Sequence, residues 1–182
     1  AIGAQEVSLP GLQYAEIWRQ SGRWEEFEGE MFVFQNREGK DMCLATTHEE
    51  PMADLVRERV RSKNNMPLAL YQIGQKFRDD HPRNGLLRTK EFRMKDAYSF
   101  HVGPESLNET YQVMVETYSA IFRRLGLDFR AVEADSGAIG GSKSQEFHVL
   151  ASSGEDAIAF SSESDYAANT ELAEAQAPKG ER

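Results

Sequence analysis

Residues 77–101 combine arginines, acids and aromatic side chains in a pattern that could bind a nucleotide. The run reads FRDDHPRNGLLRTKEFRMKDAYSFH. An Arg guanidinium donates paired hydrogen bonds to phosphate or carboxylate oxygens, a carboxylate accepts from an amine, and an aromatic ring offers a face on which a purine stacks. Composition alone leaves two interpretations of this run, a nucleotide site and an ordinary pair of solvated surface strands.

Two strands joined by a polar loop would have to position these side chains. Residues 68–77 and 91–100 are predicted to be strands, and the Asp, Pro, Asn and Gly between them favour a long loop. The two strands should therefore pair in antiparallel fashion. Because side chains alternate between the faces of a strand, one face of the second strand is expected to carry Phe92, Met94, Asp96 and Tyr98, and the other Glu91, Arg93, Lys95 and Ala97.

A hairpin and a helix are predicted ahead of the strand pair. Residues 31–44 hold two short apolar segments around Asn-Arg-Glu-Gly, and Gly39 suits a turn position that needs a positive φ. Thr47 and Glu50 fit the Thr-x-x-Glu capping box, and an apolar stripe with helical spacing then predicts an amphipathic helix that ends near Lys63.

Two more helices and several strands complete the expected fold. The longest helix covers residues 104–125, where apolar side chains follow one stripe and Gly126 provides a stop. A shorter helix is expected within residues 11–24. Further strands are predicted at residues 129–134, 147–150 and 157–160. A Gly/Ser-rich loop is expected at residues 136–144. These elements predict an α+β fold in which an antiparallel β-sheet is flanked by helices.

Composition and charge narrow the class of protein. The 182 residues are 40% hydrophobic and 28% charged, which excludes a disordered polymer, a collagen and a disulfide-stapled toxin. Cys43 is the single cysteine, and we expect it to be a buried apolar residue. No apolar run is long enough to span a membrane and no leader is visible, so we expect a cytoplasmic protein without membrane contact.

The net charge of -9 would by itself argue against a nucleic-acid partner. The charge is, however, unevenly distributed along the chain. Residues 76–96 carry seven Lys or Arg against four Asp or Glu, or +3, whereas residues 131–182 carry three against ten, or -7. An anionic ligand therefore remains compatible with the predicted strand pair.

The strand pair also belongs to an ordered series of motifs. A Phe-Arg-x-acid string at 77–80 is followed by a loop to Arg88 and by Glu-Phe at 91–92. Other strings are SGRW at 21–24, CLATTHEE at 43–50, MKDAYSFH at 94–101 and LGLDFRAVEADSGAIGGSKSQEF at 125–147. With these strings in this order, the chain resembles the class II aminoacyl-tRNA synthetases, whose motif 2 matches the first pattern, and among them the bacterial-type prolyl-tRNA synthetases.

The resemblance implies a proline–tRNA ligase. Such an enzyme activates proline with ATP and Mg²⁺ to prolyl-adenylate and transfers the prolyl group to tRNA(Pro), and the intact enzyme is expected to be a homodimer. The residues implied for ATP are Arg78, Asp80, Arg88, Glu91 and Phe92. Arg78 is the implied catalytic residue on the α-phosphate, and Asp80 stands where the family usually has Glu. No metal-ligating residue is implied.

The same resemblance implies a proline site. Glu49 and Thr47 of the Thr-x-Glu loop are expected to receive the imino nitrogen, because a carboxylate and a hydroxyl match that cation. The full set implied for proline is Thr47, Glu49, Arg78, Met94, Tyr98 and Phe100, of which the last three would line an apolar pocket.

Motif 3, the Gly-rich segment with a second ATP-binding Arg, is not found in the sequence. We therefore expect residues 1–160 to be a partial catalytic domain, with the end of motif 1, the Thr-x-Glu loop and motif 2. Residues 161–182 are expected to be a linker or the start of an editing-domain insertion. Such a chain should be inactive or nearly so when alone. The alternative is a noncatalytic synthetase-like module for binding or regulation; a sibling for threonine or serine would call for a zinc-ligand set or a different pocket.

Overall fold

The computed structural model describes residues 3–27, 29–134, 143–164, 166–170 and 172–174. The chain divides into two compact units, Ala1–Tyr111 and Gln112–Arg182. The helices are α1 (Ala15–Ser21), α2 (Glu49–Arg59) and α3 (Pro104–Arg124), with a short 3-10 helix at Lys63–Asn65. The strands are β1 (Gln5–Glu6), β2 (Leu12–Tyr14), β3 (Val33–Gln35), β4 (Asp41–Leu44), β5 (Leu68–Phe77), β6 (Glu91–Phe100), β7 (Phe129–Ala134), β8 (Ser144–Val149), β9 (Ile158–Phe160) and β10 (Ala167–Asn169). The α+β expectation is confirmed.

The predicted pair of long strands forms the centre of the first unit. Strands β5 and β6 pair in antiparallel fashion from Leu68 opposite Phe100 to Phe77 opposite Glu91, with β1 parallel to β5 on the other side. Burial alternates along β6 as expected, since Phe92 and its even-numbered neighbours are partly buried while Glu91 and its odd-numbered neighbours to Ala97 are exposed. The two faces of β6 therefore differ, and the face that carries Phe92 is the one on which a binding site is expected.

A second sheet of the first unit has the order β2-β4-β3. The predicted hairpin is confirmed: β3 and β4 flank a tight turn in which Gly39 has φ of 75°. The segment after β4 joins the two sheets, because Ala45 donates its N–H to the Gly11 carbonyl at 2.7 Å and accepts from the Phe77 N–H at 2.8 Å. This connection places the Thr-x-Glu loop beside the end of β5.

The capping box predicted for α2 is wrong. His48 occupies the N-cap position, and no side chain caps the helix. The Thr47 hydroxyl is turned to the Glu49 carboxylate instead, and Glu50 binds Ser21 and Arg23. The helix also ends at Arg59 rather than near Lys63, because the chain becomes extended at Val60.

Two apolar clusters form the core of the first unit. Trp18, Phe27, Met31 and Cys43 make the first, and Met52, Val56 and Leu70 make the second. Amphipathic α2 supplies two of the three residues of the second cluster, as its apolar stripe predicts. The expectation that Cys43 is buried is confirmed.

The second unit combines the part of α3 from Gln112 onward with the sheet β8-β7-β10-β9. Gly126 follows the helix with φ of 70°, as predicted. The Phe122 ring packs against Phe129 and Phe147, with centroids 5.3 and 5.6 Å away. Strand β8 begins at Ser144, earlier than predicted, and Ala167–Asn169 forms a strand that the polar sequence did not suggest. Residues 135–142, most of the predicted Gly/Ser-rich loop, lie outside the described residues.

Within the part of the chain that the structure describes, no helix is both long and apolar enough to cross a membrane.

Candidate active site

A cleft of about 470 Å³ opens where β5 and β6 meet their connecting loop. Its lining residues are Arg78, Asp80, His81, Pro82, Leu86, Leu87, Arg88, Thr89, Phe92 and Arg93. Four of the five residues that the sequence predicts for ATP are therefore brought together at one cleft. The fifth, Glu91, is not among the lining residues.

Arg78 presents a cation to this cleft. It directly follows β5, and its N–H donates to the Lys90 carbonyl at 2.9 Å, which extends the strand ladder by one bond. The guanidinium carbon lies 5.6 Å from the centre of the Phe92 ring. The buried Nε of Arg78 has no hydrogen-bond partner among the described residues. A buried donor without an acceptor is costly, so the geometry suits an anion that would accept from it.

The loop between the two strands is held at its base and exposed at its tip. Asp79 forms an ion pair with Lys90, and Arg88 lies 3.5 Å from Asp80. Leu86 and Leu87 at the tip are 91% and 85% exposed. Surface ion pairs of this kind contribute little stability. Breaking the Asp80–Arg88 pair so that each residue can bind a ligand would therefore cost little free energy.

Glu91 lies on the face opposite Phe92. Its carboxylate accepts a hydrogen bond from Gln75 Nε2 at 2.9 Å, and its side chain is exposed. Strand alternation is the physical reason, because adjacent residues of β6 point to opposite faces. The structure therefore does not bring Glu91 to the cleft with Arg78 and Phe92.

Thr47 and Glu49 form a second group where the loop after β4 enters α2. The Thr47 hydroxyl donates to Glu49 Oε2 at 2.5 Å, and Gln13 Nε2 donates to the Thr47 carbonyl at 3.4 Å. Glu49 is the first residue of α2, where the positive end of the helix dipole favours a carboxylate. Thr47 is buried whereas the Glu49 side chain is 34% exposed, so the carboxylate remains accessible to a ligand.

A buried polar cluster lies on the face of the β5–β6 pair that also carries Phe92. Lys76 is 0% exposed, and its ammonium donates to Asp96 Oδ1 at 2.8 Å. Asp96 Oδ2 accepts from Gln72 at 3.1 Å and from the Tyr98 hydroxyl at 2.6 Å. Burial alone raises the pKa of Asp96, but the three donors outweigh it and lower the pKa below 3.8. Burial, and then the hydrogen bond to Asp96, raise the pKa of the Tyr98 hydroxyl. Asp96 is thus ionised at neutral pH, and Tyr98 is its donor.

His48, the middle residue of the Thr-x-Glu loop, is neutral. Burial lowers its pKa from 6.5, and the nearby Lys76 ammonium lowers the pKa further. Nε2 lies 3.1 Å from the Pro10 carbonyl oxygen, and since a carbonyl can only accept, the proton is on Nε2. His48 therefore fixes the loop to the segment before β2 without adding charge.

The predicted pocket residues Met94, Tyr98 and Phe100 share the face that carries Phe92. Tyr98 and Phe100 pack against the apolar cluster of Met52, Val56 and Leu70, so part of each is core. Phe100 stands eight residues after Phe92, about 26 Å along the strand. Phe100 is accordingly distant from the cleft, whereas Met94 is the same-face neighbour of Phe92.

Comparison with known proteins identifies the family of this arrangement. The sequence profile of the tRNA synthetase class II core domain (G, H, P, S and T) matches residues 32–174. The chain belongs to this family. The match covers the Thr-x-Glu loop, both long strands and their loop, which confirms the class II aminoacyl-tRNA synthetase expectation at the level of the family.

Solved structures share the fold of this core domain. The RNA binding domain of threonyl-tRNA synthetase from Cryptosporidium parvum Iowa II is 24% identical with a TM-score of 0.65, over 71% of this chain and 32% of that one. Prolyl-tRNA synthetase from Giardia lamblia, in complex with prolyl-adenylate, is 19% identical with a TM-score of 0.67, over 72% and 28%. This chain thus spans about a third of the length of each. The two neighbours differ in amino acid, so they do not decide which amino acid this core domain takes.

Sequence reasoning missed the polar residues under the site of this core domain. Lys76, Gln72 and Asp96 are not among the residues that the sequence predicts for the site, although they alternate with the exposed positions of β5 and β6. Polar residues in register with the inward-facing Leu70 and Tyr98 were the available signal. Arg23 is likewise not predicted for the site, because the SGRW string carries no spacing that reveals the partner of its Arg.

The described residues contain no group of three or more His, Cys, Asp or Glu side chains that could hold a metal ion.

Proposed function

We propose that this core domain is part of a bacterial-type prolyl-tRNA synthetase, which forms prolyl-adenylate from proline and ATP and transfers the prolyl group to tRNA(Pro). The observation that carries the proposal is the Arg78 guanidinium, which faces the cleft, stacks over Phe92 and keeps a buried Nε–H without an acceptor among the described residues. A phosphate or carboxylate oxygen would satisfy that donor.

ATP is proposed to bind with adenine on the Phe92 ring, because a purine stacks on an aromatic face. Arg78 would hold the α-phosphate, and Arg88 would reach the terminal phosphates across the cleft. Asp80 would meet the adenine amine once Arg88, now 3.5 Å away, turns to the phosphates. Glu91 lies on the opposite face and is omitted from this proposal.

Adenylate formation needs an in-line attack and neutralisation of charge. A proline carboxylate oxygen attacks the α-phosphorus, the bond to the bridging oxygen breaks, and pyrophosphate leaves. Arg78 can contact both the attacking carboxylate and the α-phosphate, so it would position the reactants and stabilise the charge that develops on phosphorus. In the second step a terminal ribose hydroxyl of tRNA attacks the prolyl carbonyl and AMP leaves.

Proline is proposed to be selected through its imino nitrogen. Glu49 is a partly exposed carboxylate whose Oε2 is held by the Thr47 hydroxyl, and an ammonium would be its complement. Met94 and Tyr98 would line the ring pocket on the same sheet face. Phe100 would add to the wall of that pocket from the far end of β6, where it packs against the cluster of Met52, Val56 and Leu70.

Mg²⁺ is proposed to arrive bound to the ATP phosphates, as is usual for this ion. The division into a catalytic part at residues 1–160 and a linker or editing-domain start at 161–182 remains part of this proposal. So do the cytoplasmic location and the homodimeric state of the intact enzyme.

Calorimetry with nonhydrolysable aminoacyl-adenylates tests the proposal. The prolyl compound is expected to bind this chain, and the threonyl compound is expected to bind at least tenfold more weakly because its side chain does not fill a ring pocket. Arg78→Ala should weaken binding of the prolyl compound about a hundredfold and Glu49→Gln about tenfold, because each removes a charge-assisted contact to the ligand. Arg37→Ala, in the exposed hairpin turn, is the matched control and should change nothing.

Equal affinity for the prolyl and threonyl compounds would refute the choice of proline. Binding that does not depend on Arg78 and Glu49 would refute the site and favour the noncatalytic module.

A further inference from the structure

Arg23 is held rigidly beside the Thr-x-Glu loop. It follows Gly22, whose φ of 79° ends α1, and its N–H donates to the Trp18 carbonyl at 3.1 Å. The guanidinium carbon lies 5.4 Å from the centre of the Trp18 ring and 4.8 Å from that of Phe27. Stacking on aromatic faces restrains a planar guanidinium, and the side chain is only 13% exposed.

The Arg23 guanidinium contacts two successive carboxylates. Its Nη1 lies 2.9 Å from Glu50 Oε1 and 3.5 Å from Glu49 Oε2. Glu50 is buried, with 3% of its side chain exposed, and it also accepts from the Ser21 hydroxyl at 2.9 Å. Glu50 therefore belongs to the interior, whereas Glu49 is the carboxylate that a ligand can reach.

The charges of this group are not balanced. One guanidinium faces two carboxylates, so the group of Arg23, Glu49 and Glu50 carries one negative charge in excess. Glu49 Oε2 is engaged by both Thr47 and Arg23. Among the described residues, no hydrogen bond to Oε1 is found. One excess charge and one available oxygen together fit a single ligand cation.

We propose that Arg23 is a positioning residue for recognition of the substrate amine. It holds Glu49 by Oε2 so that Oε1 is presented to the cationic nitrogen of the amino acid. Glu50 neutralises the positive charge of Arg23, which would otherwise repel that nitrogen. The inference rests on the proposed function, because it gives Glu49 the same ligand. Restraint of Glu49 by Arg23 strengthens ligand binding through preorganisation, since a carboxylate restrained at one oxygen loses less conformational freedom on binding.

The test compares two nonhydrolysable adenylate analogues by calorimetry. One carries the prolyl ring, and the other has a ring oxygen in place of the amine nitrogen, so the ratio of their dissociation constants measures recognition of the cation alone. General damage to the fold weakens both compounds equally and leaves the ratio unchanged. The variants are Arg23→Met/Glu50→Gln, Arg23→Lys and Glu49→Gln.

Arg23→Met/Glu50→Gln is the most informative variant, because it keeps the net charge of the group at its native value and leaves no buried charge unpaired. We expect its amine preference to fall about tenfold, close to 1.4 kcal/mol. Arg23→Lys keeps the charge, but its shorter ammonium should follow the nearer, buried Glu50, so its preference should also fall several-fold. Arg23→Lys decides the matter if the double variant does not fold.

The outcomes separate this inference from the proposed function. If the native chain shows no amine preference, or if Glu49→Gln retains it, the proposed function fails and the inference with it. If the native chain and Glu49→Gln behave as proposed but the folded Arg23 variants keep the full preference, Arg23 is only structural and the inference is overturned.

Discussion

The buried pair of Lys76 and Asp96 allows a sharp prediction about stability. Replacing Lys76 by Met keeps the length of the side chain but leaves the Asp96 carboxylate without its cation. Removing one partner of a buried pair typically costs 3–5 kcal/mol. Asp96 keeps the Gln72 and Tyr98 donors and is 10% exposed, so we expect the low end, about 3 kcal/mol.

The reverse replacement should cost more. Asp96→Asn leaves the Lys76 ammonium, which is 0% exposed, without an anion, so we expect about 5 kcal/mol. A loss of that size approaches the whole stability of a small domain. In the double variant Lys76→Met/Asp96→Asn no charge remains, and Asn can still bind Gln72 and Tyr98. Its cost should therefore be only about 1 kcal/mol.

Urea unfolding followed by tryptophan fluorescence measures these differences, because Trp18 lies in the core of the same unit. Slopes that agree among variants are required for the comparison. If the double variant loses as much as the two single variants together, the two groups are uncoupled and the reasoning is wrong. The pair should also give acid sensitivity: because the folded pKa of Asp96 is below 3.8, its contribution is present above that pH and is lost as the pH falls through the folded pKa.

Three further outcomes are expected. Arg78→Ala should weaken binding of a nonhydrolysable prolyl-adenylate by about a hundredfold in calorimetry, roughly 3 kcal/mol for a lost charge-assisted contact, and a change below threefold would remove Arg78 from the site. Because the folded pKa of His48 is below 6.5, its contribution to stability is present above that pH and lost as the pH falls below it; His48→Gln should flatten the decrease in thermal midpoint between about pH 7 and about pH 5, and an unchanged slope would contradict this. Burial raises the pKa of Cys43 to about 11, so a thiol reagent at about pH 8 should react only as fast as the chain unfolds, whereas rapid labelling of the folded chain would show an accessible thiolate.

The strands and the loop that frame the candidate site could be predicted because each is encoded within a short stretch of sequence. The bounds of β6 follow from the alternation of its apolar residues, those of β5 from a mixed apolar and polar run between turn residues, and the loop between them from Asp, Asn and Gly. The capping box at Thr47 and Glu50 failed for a tertiary reason. Ser21 and Arg23 draw Glu50 into the interior, and Glu49 takes the Thr47 hydroxyl.

Contacts between distant segments account for the rest. Lys76 and Asp96 are 20 residues apart, and Arg23 is 27 residues from Glu50, so neither pair has a spacing that a helix or strand period reveals. Strand β10 was missed because its Ala-Ala-Asn residues carry little strand preference and are recruited by pairing with β7 and β9. Glu91 is implied for ATP by the family resemblance, whereas strand alternation places it on the face opposite Phe92.

The clasp at the base of the β5–β6 loop has a consequence for how this domain can diversify. The Arg78 N–H bond to Lys90 and the Asp79–Lys90 ion pair anchor both ends of the loop, and the residues between are exposed. The backbone positions of Arg78 and Phe92 are therefore fixed by contacts outside the tip, although His81, Pro82, Leu86 and Leu87 line the same cleft. Doubling a flexible loop costs only about 0.6 kcal/mol, so residues 83–85, which are not among the lining residues of the cleft, are a segment in which insertions can accumulate while Arg78 and Phe92 keep their positions.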